Sequence, residues 1–90
     1  MVYITHIRLS GGTRHEHITD VKWHNPTNGK TGESTKQNMV DWLRTAGNNA
    51  RVKDQFGDEA QVGIVEGNPP YLRTHADGKW TDNLLALPKF

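Results

Sequence analysis

Tyr71-Leu72-Arg73-Thr74-His75-Ala76-Asp77-Gly78-Lys79-Trp80-Thr81-Asp82 is the stretch that decides the fold. Asp-Gly between two strand-like runs favours a two-residue type I′ turn, in which both central residues need positive φ. If Ala76 pairs with Lys79, His75 falls opposite Trp80, Thr74 opposite Thr81, and Arg73 opposite Asp82. The last is an opposite-charge cross-strand pair, worth at most about 1 kcal/mol. A register that yields compatible partners at every step predicts a β-hairpin.

Upstream, Gln61 to Glu66 reads as a strand, with Val62 and Ile64 on one face and Val65 on the other, and Gly67-Asn68-Pro69-Pro70 ends it. Ala50 to Lys53 is a short strand candidate, followed by a turn at Gln55-Phe56-Gly57-Asp58. Met39, Trp42, Leu43 and Ala46 recur at i, i+3, i+4 and i+7, a single apolar stripe at the helical period that Val40 widens. Ser34 with Gln37 three residues on fits a capping box, and Gly47-Asn48 suits a left-handed C-terminal cap. A helix of about 12 residues is marginal alone in water, so its stripe must lie on the sheet, with Trp42 as the expected anchor.

Before the helix, Asn25 to Glu33 holds Asn-Pro, Asn-Gly and Thr-Gly and reads as a polar loop. Val2 to Leu9 is rich in β-formers, but Val2 and Ile4 are out of phase with Ile7 and Leu9, which a bulge would explain. Ser10-Gly11-Gly12-Thr13 is a turn, and a second strand fits from about His17 to His24. At Leu84 to Leu87 a short apolar tail ends at Pro88. The expected fold is α+β: a small, mainly antiparallel sheet of four to five strands in the order β-β-α-β-β-β, with one amphipathic helix packed on one face.

Composition narrows the functional classes. Ninety residues, 33% of them hydrophobic, allow one domain over 1–90 with a small core. No cysteine means no disulfide framework and no thiolate metal site, which fits a cytoplasmic setting. The first residues carry no basic n-region or long apolar run, so no signal peptide is expected. The longest apolar run, Leu84-Leu85-Ala86-Leu87, cannot span a bilayer, so no membrane partner is expected. Eleven Lys and Arg against 10 Asp and Glu give a net charge of +1 and no whole-molecule field to draw in a polyanion.

His15-Glu16-His17-Ile18-Thr19, Tyr71-Leu72-Arg73-Thr74 and Ala76-Asp77-Gly78-Lys79-Trp80-Thr81-Asp82-Asn83-Leu84 resemble a family of short bacterial and phage proteins, domain of unknown function family 3892. The resemblance runs from about Thr5 to Pro88, and its C-terminal stretch is the most distinctive. It implies a stand-alone small domain of cellular or prophage origin and carries no activity or mechanism.

Candidate chemistry is sparse. His15 and His17, one residue apart, would point to the same face of a strand and could hold a divalent transition metal if His6, His24 or Asp20 supplied a third ligand, as in a metal-dependent enzyme. Polar residues at the wet start of a strand are the plainer reading, and no recognised zinc motif is present. His75 beside Trp80 has no assignable nucleophile, and Asp77 is explained by its turn, so no catalytic residue is assigned and a non-enzyme is expected. No cofactor is called for. Gly11-Gly12-Thr13-Arg14 lacks phosphate-loop spacing and reads as a turn. Arg8, Arg14, Lys22, Arg73 and Lys79, with Tyr3, Trp23, Tyr71 and Trp80, could form a basic and aromatic sheet face that binds nucleic acid. If Trp23 and Trp42 belong to the core, those cations are only a solvated surface. The leading expectation is a non-enzymatic interaction or accessory module that docks a protein partner or self-associates through sheet edges.

Overall fold

The Asp77-Gly78 hairpin forms as its sequence requires. In the computed structural model, which describes all residues 1–90, Asp77 has φ 53° and Gly78 φ 76°. Ala76 pairs with Lys79, His75 with Trp80 and Thr74 with Thr81. Just past the paired residues, the Arg73 guanidinium donates to Asp82 Oδ1 at 3.1 Å.

The sheet is larger than expected. It has seven strands: β1 (Val2–Leu9), β2 (Ile18–His24), β3 (Thr31–Thr35), β4 (Ala50–Lys53), β5 (Glu59–Val65), β6 (Tyr71–Ala76) and β7 (Lys79–Thr81). Their order across the sheet is β3-β2-β1-β4-β5-β6-β7. All neighbours are antiparallel except β1 and β4, which pair in parallel through Val2↔Ala50 and Tyr3↔Arg51. The count of four to five strands and the β-β-α-β-β-β order are therefore corrected. β3, where no strand is expected, lies largely inside the stretch read as a loop. Thr31-Gly32-Glu33-Ser34-Thr35 has no large apolar side chain, because an edge strand needs none to be held by its neighbour's backbone.

The phase break in β1 is a bulge. Ile4 pairs with Trp23 and His6 with Lys22, leaving Thr5 as the extra residue. The bulge returns Ile7 to the face of Val2 and Ile4. Those three residues bury beside Val21, Val52, Val62 and Leu72 to form the core.

The helix α1 spans Lys36–Arg44. Its cap lies one residue later than expected: Thr35 Oγ1 accepts from the Asn38 N–H at 3.1 Å, while Gln37 turns to Asp41. Met39 and Val40 bury against the sheet, Trp42 and Leu43 are half-buried, and Ala46 lies past the helix in solvent. Trp42 is thus a wall at the margin of the core, and Val40 rather than Trp42 is the anchor. The helix carries the chain from the β3 edge across β2 and β1 to β4, as a parallel crossover requires.

The C-terminal tail completes the fold. Leu84 is 0% exposed. Beyond it the chain runs alongside β1: the Ile7 N–H donates to the Pro88 carbonyl at 3.0 Å, and the Phe90 N–H donates to the Ile7 carbonyl at 3.1 Å. Residues near Lys89 thus occupy the edge of β1 that β4 leaves free after Tyr3.

Candidate interaction site

Trp23 and Trp42, both half-buried against the core, border a cleft of about 330 Å³ between α1 and the β1–β2–β3 end of the sheet. Its apolar wall is Val2, Met39, Trp23 and Trp42; its polar rim is Asn25, Ser34 and Asn38. No ionisable side chain lines it. Trp23 is held by local geometry: its partner on β3 is Gly32, which has no side chain, so the indole lies across that strand. The indole Nε1–H donates to Ser34 Oγ at 3.1 Å. The Asn25 carboxamide oxygen accepts from the Thr27 N–H, which fixes that side chain at the mouth.

Beside the cleft runs the free edge of β3. The Asn25 N–H donates to the Lys30 carbonyl, so alternation along the ladder turns the backbone groups of Gly32 and Ser34 toward β2 and those of Thr31 and Glu33 outward. Side chains at Gly32 and Ser34 positions lie on the cleft side. Glu33 lies on the opposite, open face and takes part in none of the four ion pairs of the chain.

The open face gathers part of the basic set. Arg8 Cζ sits 4.4 Å and Lys22 Nζ 4.7 Å from the centroid of Phe90, and Lys53 Nζ 5.0 Å from that of Tyr3. Such contacts are worth about 0.5–1 kcal/mol each when exposed. Tyr3 also donates its hydroxyl to Glu59 at 3.1 Å, which raises its pKa, because the bond favours the neutral phenol. Arg73, Lys79 and Trp80 form a separate group at the β6–β7 end, with Arg73 ion-paired to Asp82. Trp80 is 48% exposed; its ring meets His75 edge to face, over Gly63, at a centroid distance of 5.5 Å. Arg14 lies in the exposed loop before β2.

His15 and His17 do not lie on a strand. They occupy a single 3-10 turn, His15–His17, so the alternation that would put them on one face does not apply. His15 is buried at 8% exposure. Its Nε2 makes no hydrogen bond, and the nearest carboxylate oxygen is Asp82 Oδ1 at 3.8 Å. Burial, then the charge of Arg73, lowers its pKa. His17 accepts from the Arg14 N–H through Nδ1 at 3.1 Å, and its ring covers Gly12. No three His, Asp or Glu side chains converge where they could hold a metal ion. No helix is long and apolar enough to cross a membrane.

The Trp23–Trp42 cleft was hidden from sequence reasoning. Its only signal is a glycine and a serine set two residues apart just before the helix, and that pattern means nothing until β3 is seen to be a strand opposite Trp23.

No curated protein and no solved structure matches the chain. One family model does, over residues 3–88, and its description is "Protein of unknown function (DUF3892)". A match over nearly the whole chain places this protein in the DUF3892 family.

Proposed function

We propose that this chain is a non-catalytic interaction module, a single cytoplasmic accessory domain of bacterial or prophage origin, which takes an extended segment of a partner protein as an added strand on β3. The observation that carries the reading is the juxtaposition of an uncharged tryptophan-lined cleft with an unpaired strand edge. Edge addition supplies backbone hydrogen bonds, and a pocket beside the edge selects alternate side chains. With no acid or base in the cleft to activate the Ser34 hydroxyl, the lining favours binding over catalysis.

A display library of random linear peptides tests this. Selection on the wild-type protein with counter-selection on Trp42→Ala should enrich peptides whose addition shifts the backbone amides of Thr31 and Glu33 and the indoles of Trp23 and Trp42. Peptides that bind Trp42→Ala equally well, or that leave β3 unmoved, would overturn the reading.

A second reading rests on Arg8 and Lys22 meeting at Phe90, with Arg51 and Lys53 on β4, the strand next to β1: the open face binds the backbone of a single-stranded nucleic acid. It predicts a salt-dependent gel shift of oligothymidylate that Arg8→Ala with Lys22→Ala abolishes. It ranks second because Phe90 and Tyr3 already stack on cations of this chain, and Arg51 lies 3.6 Å from Glu59.

A further inference from the structure

We infer that the strand added to β3 carries an adjacent pair of residues, one tyrosine or tryptophan and one lysine or arginine. The inference rests on the strand-addition reading and names the chemistry of its ligand.

The aromatic member follows from the cleft. Its walls are indole and aliphatic, which suits a large apolar body. Its rim is Asn25, Ser34 and Asn38, whose side chains keep unused hydrogen-bonding capacity: the Ser34 hydroxyl accepts from Trp23 and still has a proton to donate, and the carboxamide of Asn38 makes no bond within the chain. An aliphatic occupant would leave those groups covered and unpaired, and a charged occupant would find no counter-charge. A phenol or indole supplies the apolar body and the polar tip together.

The basic member follows from Glu33. Side chains of an added strand alternate faces as those of β3 do. A residue that points at the cleft beside Gly32 or Ser34 therefore has its neighbour beside Glu33 on the open face. That carboxylate makes no ion pair in the chain, because its cross-strand neighbour Lys22 turns its ammonium to the Phe90 ring, and it stands at the sheet margin, so a cation there gains a cross-strand pair.

The same charge argues against a second copy as the occupant. Pairing β3 with β3 about Glu33 sets two carboxylates opposite each other, which is destabilising. The other free edge, β7, has the adjacent pair Lys79-Trp80, but with the two side chains reversed. Trp80 shares the open face with His75, so a continuous sheet with both cores on one side would bring its lysine to the cleft and its indole to Glu33.

The test is a parallel selection on wild type, Glu33→Gln and Glu33→Lys, each checked for a native circular dichroism spectrum. Peptides won on wild type should carry the adjacent aromatic and basic residues. Replacing the cation in a resynthesised winner by alanine should weaken binding to wild type by about fivefold, the upper range for one cross-strand charge pair, and should not weaken binding to Glu33→Gln. Selection on Glu33→Lys should return an acidic residue in place of the basic one. Winners that add to β3 without the pair, or with a cation indifferent to residue 33, overturn this inference and leave strand addition standing. Failure of any peptide to engage β3 removes both. Concentration-dependent mass of wild type that Trp80→Ala abolishes would show that the occupant is a second copy, and would also overturn the inference.

Discussion

Trp23 and Gly32 face each other across β2 and β3 so closely that a Cβ on Gly32 would lie 2.6 Å from the indole Cζ2. The glycine is a seat for the ring, and the ring is tethered to Ser34 through the Nε1–H beside the seated edge. Gly32→Ala should therefore displace the indole and lower stability by about 1–2 kcal/mol, in the range for overpacking a fitted site. Urea unfolding measures the loss. A tryptophan emission shift in the folded state reports the displaced ring, and an unchanged spectrum with unchanged stability would refute the fit.

Thr35 caps α1, although Ser34 stands in the position that the sequence motif favours. Thr35→Ala should cost about 1 kcal/mol, the typical loss of an N-cap. Denaturant midpoints measure it. The Trp23 emission spectrum should stay unchanged in this variant, since the indole bonds to Ser34 and not to Thr35.

Leu84 is enclosed although it belongs to a segment with no regular structure. Leu84→Ala should destabilise by about 2–4 kcal/mol, as for other leucines cut from a closed core. That would be a large share of the stability of so small a domain. A loss below about 1 kcal/mol would mean that the tail is a surface appendage.

His15 makes stability depend on pH in one direction. Its folded pKa is lowered from 6.5, chiefly by burial and then by Arg73, against the smaller opposing pull of Asp82 and Glu16. The native state therefore holds the imidazole neutral while the unfolded chain protonates it, so the unfolded state binds more protons as pH falls. The stabilisation is complete above pH 6.5 and is lost as pH falls through the lower folded value. Urea unfolding at a series of pH values should show this slope, and His15→Gln should flatten it relative to wild type. An equal slope in both proteins would assign the effect elsewhere.

How far the sequence could be read follows from what each segment relies on. The β6–β7 hairpin was legible because Asp77 and Gly78 dictate the turn by backbone conformation alone, which needs no tertiary partner. The bulge in β1 was legible because apolar residues out of phase must be reconciled if all are to bury. β3 was not: its place in the sheet comes from hydrogen bonds to β2, and Thr31 to Thr35 carry no apolar alternation to announce it. The position of His15 was missed for a related reason. A two-residue spacing has one meaning on a strand and another in a 3-10 turn, and packing against β6 decides which. With β3 unseen, Trp23 could be assigned only to the core or to the basic sheet face, so the cleft went unread too.

Joining Ile7 to Pro88 and Phe90 sets the order in which the molecule can assemble. The central strand is sealed on that side by Pro88 and Phe90, which are synthesised long after Ile7, so a ribosome-bound chain lacking them would hold β1 with half an edge open. Contacts between residues so far apart in sequence also slow the search for the native state, toward the millisecond-to-second range of proteins dominated by non-local pairing. Nascent chains would thus pass through a stage in which the middle of the sheet, and not its rim, is the sticky part.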